Sequence, residues 1–180
     1  MIKNNLQTIL LGGGCFWCTE AIFKSLRGVV KVTSGYAGGD LPNPDYETVA
    51  SGRSGHAEVV LIKFDPEHIS FQDLLEIFFE LHDPTSLNRQ GYDVGEEYRS
   101  IILYTSDEQK TQAEKYITKL EQFKKYSHRI VTQVLPLKKF YTAEEYHQNY
   151  YENNKSQSYC QIIISPKLKK LREKFSPKLI

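Results

Sequence analysis

Gly12-Gly13-Gly14-Cys15-Phe16-Trp17-Cys18 is the stretch from which the chain is read. Ile9-Leu10-Leu11 runs into it as a short buried strand, and apolar residues at 16, 17, 21, 22, 23 and 26 leave it at helical spacing. Strand, glycine turn and helix start therefore meet at Cys15. Unpaired N–H groups and the positive end of the helix dipole favour the thiolate there, the nucleophilic form of cysteine. Glycine lets the backbone turn sharply and lets a ligand approach it. The pattern makes Cys15 a candidate nucleophile, where a cysteine without such glycines would read as a small packed hydrophobe.

Cys18 completes C-x-x-C and shares a helical face with Cys15. Three readings of the pair stay open at this point. It can be a thioredoxin-like couple serving a general thiol–disulfide oxidoreductase, half of a zinc site, or a nucleophile with a second thiol nearby. Zinc takes four ligands, often from a second C-x-x-C or a close histidine pair. Neither exists among His56, His68, His82, His128, His147 and the lone Cys160, so no metal is expected.

Outward from the motif, residues 29–36 and 56–64 alternate as strands, and 98–104 and 130–135 read as further strands. Ser70 with Asp73 is a capping-box start for a helix to about residue 81, stopped by Asp83-Pro84. Ser106 and Gln109 open a charged helix over 107–125, Thr142 and Glu145 an aromatic-rich one over 143–151, and 46–50 a short helical turn. A long glycine- and proline-marked loop precedes His56, and a polar loop spans 85–97. Strand, helix, strand, strand, helix, strand over residues 6–104 is the split β-α-β pattern of a ferredoxin-like two-layer α+β sandwich, here with extra helices and a long C-terminal tail.

The 180 residues suit one core, with 40% hydrophobic and 25% charged residues, as in ordinary globular chains. A net charge of +1 gives no case for nucleic acid. Residues 154–180 carry seven Lys/Arg against one acid and so +6, leaving −5 on the rest. The expected division is a catalytic body over 1–153 and a solvated basic tail over 154–180. No apolar run reaches the roughly 18 residues of a membrane helix, and residues 1–5 do not open a signal peptide. A cytoplasmic monomer with working thiols is expected, since three cysteines do not make a disulfide framework.

Six blocks then carry a resemblance: Gly14-Cys15-Phe16-Trp17; Gly35 to Gly39; Pro44-Asp45-Tyr46; Gly55-His56-Ala57-Glu58; Gln90 to Gly95; and Tyr98-Arg99-Ser100. In this order they resemble the peptide methionine sulfoxide reductase A family, over residues 8–160. The resemblance implies reduction of methionine-S-sulfoxide, free and in oxidised proteins, without a bound cofactor. It implies Cys15 as nucleophile and Glu58 as proton donor, which requires a carboxyl held protonated by burial. Tyr46 and Tyr98 match the tyrosines that hydrogen-bond the sulfoxide oxygen, Asp93 the aspartate that helps position it, and Phe16 and Trp17 the seat for the methyl group. Cys160 matches the cysteine that condenses with the sulfenic acid left on Cys15, and thioredoxin reduces the resulting disulfide. The chain departs from the pattern at Cys18 where glycine is common, which leaves both Cys18 and Cys160 as resolving candidates. It departs again at Tyr92, on the pocket rim, and at Glu97, expected to be a surface change.

Overall fold

A computed structural model describes residues 5–180; residues 1–4, part of the segment read above for signal-peptide character, lie outside the described residues. The fold is α+β. Its sheet is built from β1 (Gln7–Gly12), β2 (Val29–Ala37), β3 (Ala57–Phe64), β6 (Ile101–Tyr104), β7 (Gln133–Pro136) and β8 (Phe140–Thr142), and a separate small hairpin joins β4 (Arg89–Gln90) to β5 (Asp93–Val94). The order across the sheet is β7-β6-β1-β3-β2-β8. β3 lies between β1 and β2 and is antiparallel to both, so the split β-α-β arrangement is present. β6 is antiparallel to β1 on the other side. β7, parallel to β6, and β8, antiparallel to β2, extend the two edges.

Period-two alternation decides which residues reach which face. Along β3, Val60, Ile62 and Phe64 enter the main core, whereas Ala57, Val59 and Leu61 join a smaller cluster with Leu10, Ile101 and Leu103 on the opposite face. The main face is covered by α1 (Phe16–Lys24), α3 (Phe71–Leu81) and α6 (Ser165–Phe175). α3 starts where the sequence says: Ser70 accepts from Asp73 N–H and the Asp73 carboxylate accepts from Ser70 N–H, the complete capping box. Ser106 likewise accepts from Gln109 N–H to open α4 (Asp107–Gln122). The short turn at 46–50 is α2 (Tyr46–Ala50), capped by Asp45.

Two expectations are corrected. The aromatic helix expected over 143–151 is broken into a 3₁₀ turn, Glu145–His147, and α5 (Tyr150–Asn153), with Asn149 between them in the left-handed region at φ 54°. Gln148 causes the break: its side-chain amide pairs with both backbone groups of Ser34 and with the Ala143 carbonyl, tying this segment to β2. The basic tail is also not a solvated tail. A π-helical turn, Cys160–Ile164, leads into α6, and Ile164, Leu168, Leu171 and Phe175 are buried in the main core. The lysines face outward, and Lys125, Lys170 and Lys174 converge on Glu80 at the end of α3. Lys178 reaches Asp73 at 2.6 Å, and Leu26 and Leu179 form a β-bridge. No helix among the described residues is long and apolar enough to cross a membrane.

Candidate active site

The site forms where β1 ends. Gly12 lies against β3 so closely that a Cβ there would sit 2.8 Å from the Glu58 carbonyl and from Ile101. Gly14 turns the chain at φ 100°, with Gln90 packed against it. This close passage carries Cys15 to the N-cap of α1, beside Glu58 on β3. Cys15 is 8% exposed, and Cys18, one turn on, brings its thiol within interaction range of the Cys15 thiol. All three cysteines are free thiols.

The electrostatics correct the expectation of a resting thiolate on Cys15. The Trp17 N–H at the helix start does favour the anion, but burial, the contact with Cys18 and the nearby Glu58 outweigh it and push the Cys15 thiol up. The Cys15 hydrogen bond holds Cys18 down at about 7, helped by the Lys167 ammonium. Burial and Glu58 thus oppose an anion on Cys15, and the Lys167 ammonium favours one on Cys18.

Glu58 shares the helix-covered face with Val60 and Ile62 and is 2% exposed. Burial lifts its pKa to about 8, supported by the nearby carboxylates of Glu97 and Asp93 and opposed by the Phe16 N–H, which donates to Oε2 at 3.0 Å. One carboxyl oxygen is thus fixed by the helix start, and the other holds a proton at neutral pH. Glu97 is not the surface residue expected. It is 5% exposed in the 3₁₀ turn Glu96–Tyr98, which folds its carboxyl back against Gly95, and burial raises its pKa too.

The structure brings the remaining sequence candidates to the same place. Burial raises the phenols of Tyr46 and Tyr98, with the charge on Glu58 next, so both remain neutral hydrogen-bond donors. Phe16 is buried against Tyr36, ring centroids 5.7 Å apart. Trp17 is half-buried, stacked on Tyr150 with centroids 3.6 Å apart and planes 4° from parallel. Asp93, on β5, accepts from the Tyr159 hydroxyl at 2.7 Å, and the same oxygen lies 3.9 Å from the Cys18 sulfur. Cys160 is wholly buried in the π-helical turn, which packs on α1. A cleft of about 510 Å³ leads to Cys15 between the β4–β5 hairpin and the start of this turn.

Sequence reading missed the group that ties the cup together. Trp17 Nε1–H donates to His147 Nδ1 at 3.0 Å. His147 is therefore neutral with its proton on Nε2, which faces Glu144 Oε2 at 3.5 Å, and burial lowers its pKa in keeping with this. Glu144 accepts from Tyr36 hydroxyl at 2.9 Å and from Tyr46 N–H at 3.1 Å. His147 thus holds the Trp17 ring, and Glu144 beside it holds the start of the Tyr46 helix. The only sequence signal for them was the aromatic run at 143–151.

A buried thiol pair facing a protonated carboxyl inside an aromatic cup defines a thiol-based oxidoreductase on an α+β scaffold. The family model described as "Peptide methionine sulfoxide reductase" matches residues 7–179. Peptide methionine sulfoxide reductase MsrA of Sulfolobus acidocaldarius is 53% identical over 173 residues, 96% of this chain and 97% of the relative. Mxr1 of Saccharomyces cerevisiae in reduced form superposes with a TM-score of 0.80 at 36% identity, covering 86% of this chain and 89% of Mxr1. The structure of Mxr1 in complex with Trx2 superposes with a TM-score of 0.58 at 29% identity, covering 81% and 84%. The chain belongs to the peptide methionine sulfoxide reductase family.

Proposed function

We propose that the chain reduces methionine-S-sulfoxide, in oxidised proteins and as the free amino acid, through Cys15. The observation that carries the reading is Glu58: a carboxyl held protonated beside Cys15 is the proton donor that a departing sulfoxide oxygen needs. Cys15 attacks the sulfoxide sulfur as its thiol proton is lost, Cys18 standing next to it to accept that proton. Glu58 protonates the oxygen, with Tyr46 and Tyr98 donating hydrogen bonds to it. Asp93 positions it once Tyr159 releases the carboxylate. Phe16 and Trp17 seat the methyl group. Attack joins the Cys15 sulfur to the sulfoxide sulfur, and the oxygen leaves as water on taking a second proton from Cys18. A water molecule then attacks the Cys15 sulfur, breaking the sulfur–sulfur bond and returning a proton to Glu58, so that methionine leaves and Cys15 becomes a sulfenic acid.

Condensation with a second thiol then gives a disulfide and water. Cys18 is the nearer partner in the helix, one turn from Cys15, and its lowered pKa supplies thiolate. Cys160 takes part once its turn opens, and the order Cys15, Cys18, Cys160 would carry the disulfide outward. Thioredoxin returns the thiols by exchange; the yeast relative seen with Trx2 supports this partner. The three free thiols suit a reducing compartment such as the cytoplasm. The test is disulfide mapping by mass after one equivalent of methionine-S-sulfoxide without reductant. A Cys15–Cys18 or Cys18–Cys160 bond is expected, and three free thiols after methionine has formed refutes the route.

A further inference from the structure

The cleft over Cys15 is larger than its substrate side chain. Its 510 Å³ lies in the range of pockets that enclose a drug-sized molecule, and its walls hold Cys15 and Asp93 but not Glu58, Tyr46, Tyr98, Phe16 or Trp17, so most of it lies beside the seat proposed for the sulfoxide. The surplus is apolar and faces water. Tyr92, on the hairpin lip, is 90% exposed, and Ile162, on the opposite lip, is 67% exposed; both line the cleft. Val94 continues the hairpin lip at 66% exposure. Neither lip gains folding energy from such exposure, and apolar surface gathered at the mouth of a reactive cleft marks a binding surface. The charges are poorly placed for a free amino acid. Asp93 is the one carboxylate lining the cleft, and its part at the sulfoxide oxygen leaves none to answer a free α-ammonium, whose unpaired charge would be costly there. A peptide has no such charges next to its sulfoxide side chain.

We propose that Tyr92 and Ile162 form a flanking subsite that clasps an apolar side chain next to the sulfoxide residue of an extended peptide. The inference rests on the sulfoxide-reductase reading and deepens it: the preferred substrate is a sulfoxide within an unfolded, apolar stretch of protein. Ile163 and Lys167 also line the cleft, and the Lys167 ammonium lies close enough to act on Cys18.

The test is single-turnover reduction, without thioredoxin, of free methionine-S-sulfoxide and of two end-blocked pentapeptides with leucine or asparagine on either side of the sulfoxide. The wild type is expected to reduce the leucine-flanked peptide about tenfold faster than the asparagine-flanked one, the scale of partly burying one large apolar side chain. The double variant Tyr92→Asn, Ile162→Gln alters only exposed side chains, and is expected to lose this advantage while its rate on the free amino acid changes by less than about twofold. No flank preference in the wild type, or the same preference in the variant, overturns the proposal. So does an equal loss on the free amino acid, and so does a defect confined to thioredoxin-driven turnover, which assigns the lips to the reductant. A wild type that reduces none of the three substrates instead overturns the sulfoxide-reductase reading itself.

Discussion

Glu58→Gln separates catalysis from stability in one substitution. Glutamine keeps the shape and still accepts from Phe16 N–H, but it has no acidic proton and no charge to bury. The single-turnover rate is therefore expected to fall about 10²–10⁴-fold, the usual contribution of a general acid. Stability moves the other way. The folded pKa is about 8 against an ordinary 4.5, so folding binds an extra proton between these values, and wild-type stability declines as pH rises through that window. At about 1.4 kcal/mol per pH unit, the advantage of the variant over wild type grows by about 3 kcal/mol between pH 5 and pH 8 and levels off above. Urea unfolding of both proteins across this range measures it. An advantage that does not change with pH means that Glu58 is not a buried protonated acid. An unchanged single-turnover rate means that it is not the donor, and both results together refute the reasoning.

Trp17→Ala removes the partner of Tyr150 and the donor to His147, and is expected to lower the second-order rate constant about 10–200-fold, read by single turnover. Glu80→Gln removes the acceptor of three lysines; their exposure holds the expected loss to about 1 kcal/mol at pH 7 in chemical unfolding. Because the Glu80 pKa is lowered to about 2, that stabilisation is present above its ordinary 4.5 and lost as pH falls toward 2, so the difference from wild type should vanish there. Leu171→Ala, at 1% exposure in α6, is expected to cost about 2–5 kcal/mol in the same assay, which a dispensable tail would not.

How much was legible in the sequence depended on the range of the interactions. The glycine turn, the capping box of α3, the Ser106 cap of α4 and the strand alternation of β3 are local, and they stand in the structure as read. Cys15 was singled out by its glycine turn and helix start, whereas Glu58, Tyr46, Tyr98 and Asp93 became candidates only because their blocks together resemble one family. Glu144, His147 and Tyr159 were not found, because their partners lie 66 to 130 residues away. The charge count hid α6: its apolar stripe at 164, 168, 171 and 175 is present in the sequence but interleaved with lysines. Glu97 looked like a surface residue until a 3₁₀ turn folded it inward. The thiolate expected at Cys15 followed from the helix dipole alone, and burial beside Glu58 and Cys18 reverses it.

The central claim is that reduction of the sulfoxide leaves Cys15 as a sulfenic acid. The most direct measurement uses the double variant Cys18→Ala, Cys160→Ala, in which a sulfenic acid has no resolving thiol. One equivalent of methionine-S-sulfoxide is added with a carbon nucleophile that traps sulfenic acids, and methionine and the labelled residue are quantified by mass spectrometry. The expected result is one methionine released per adduct, with the adduct on Cys15. Methionine formed without an adduct on Cys15 contradicts the account.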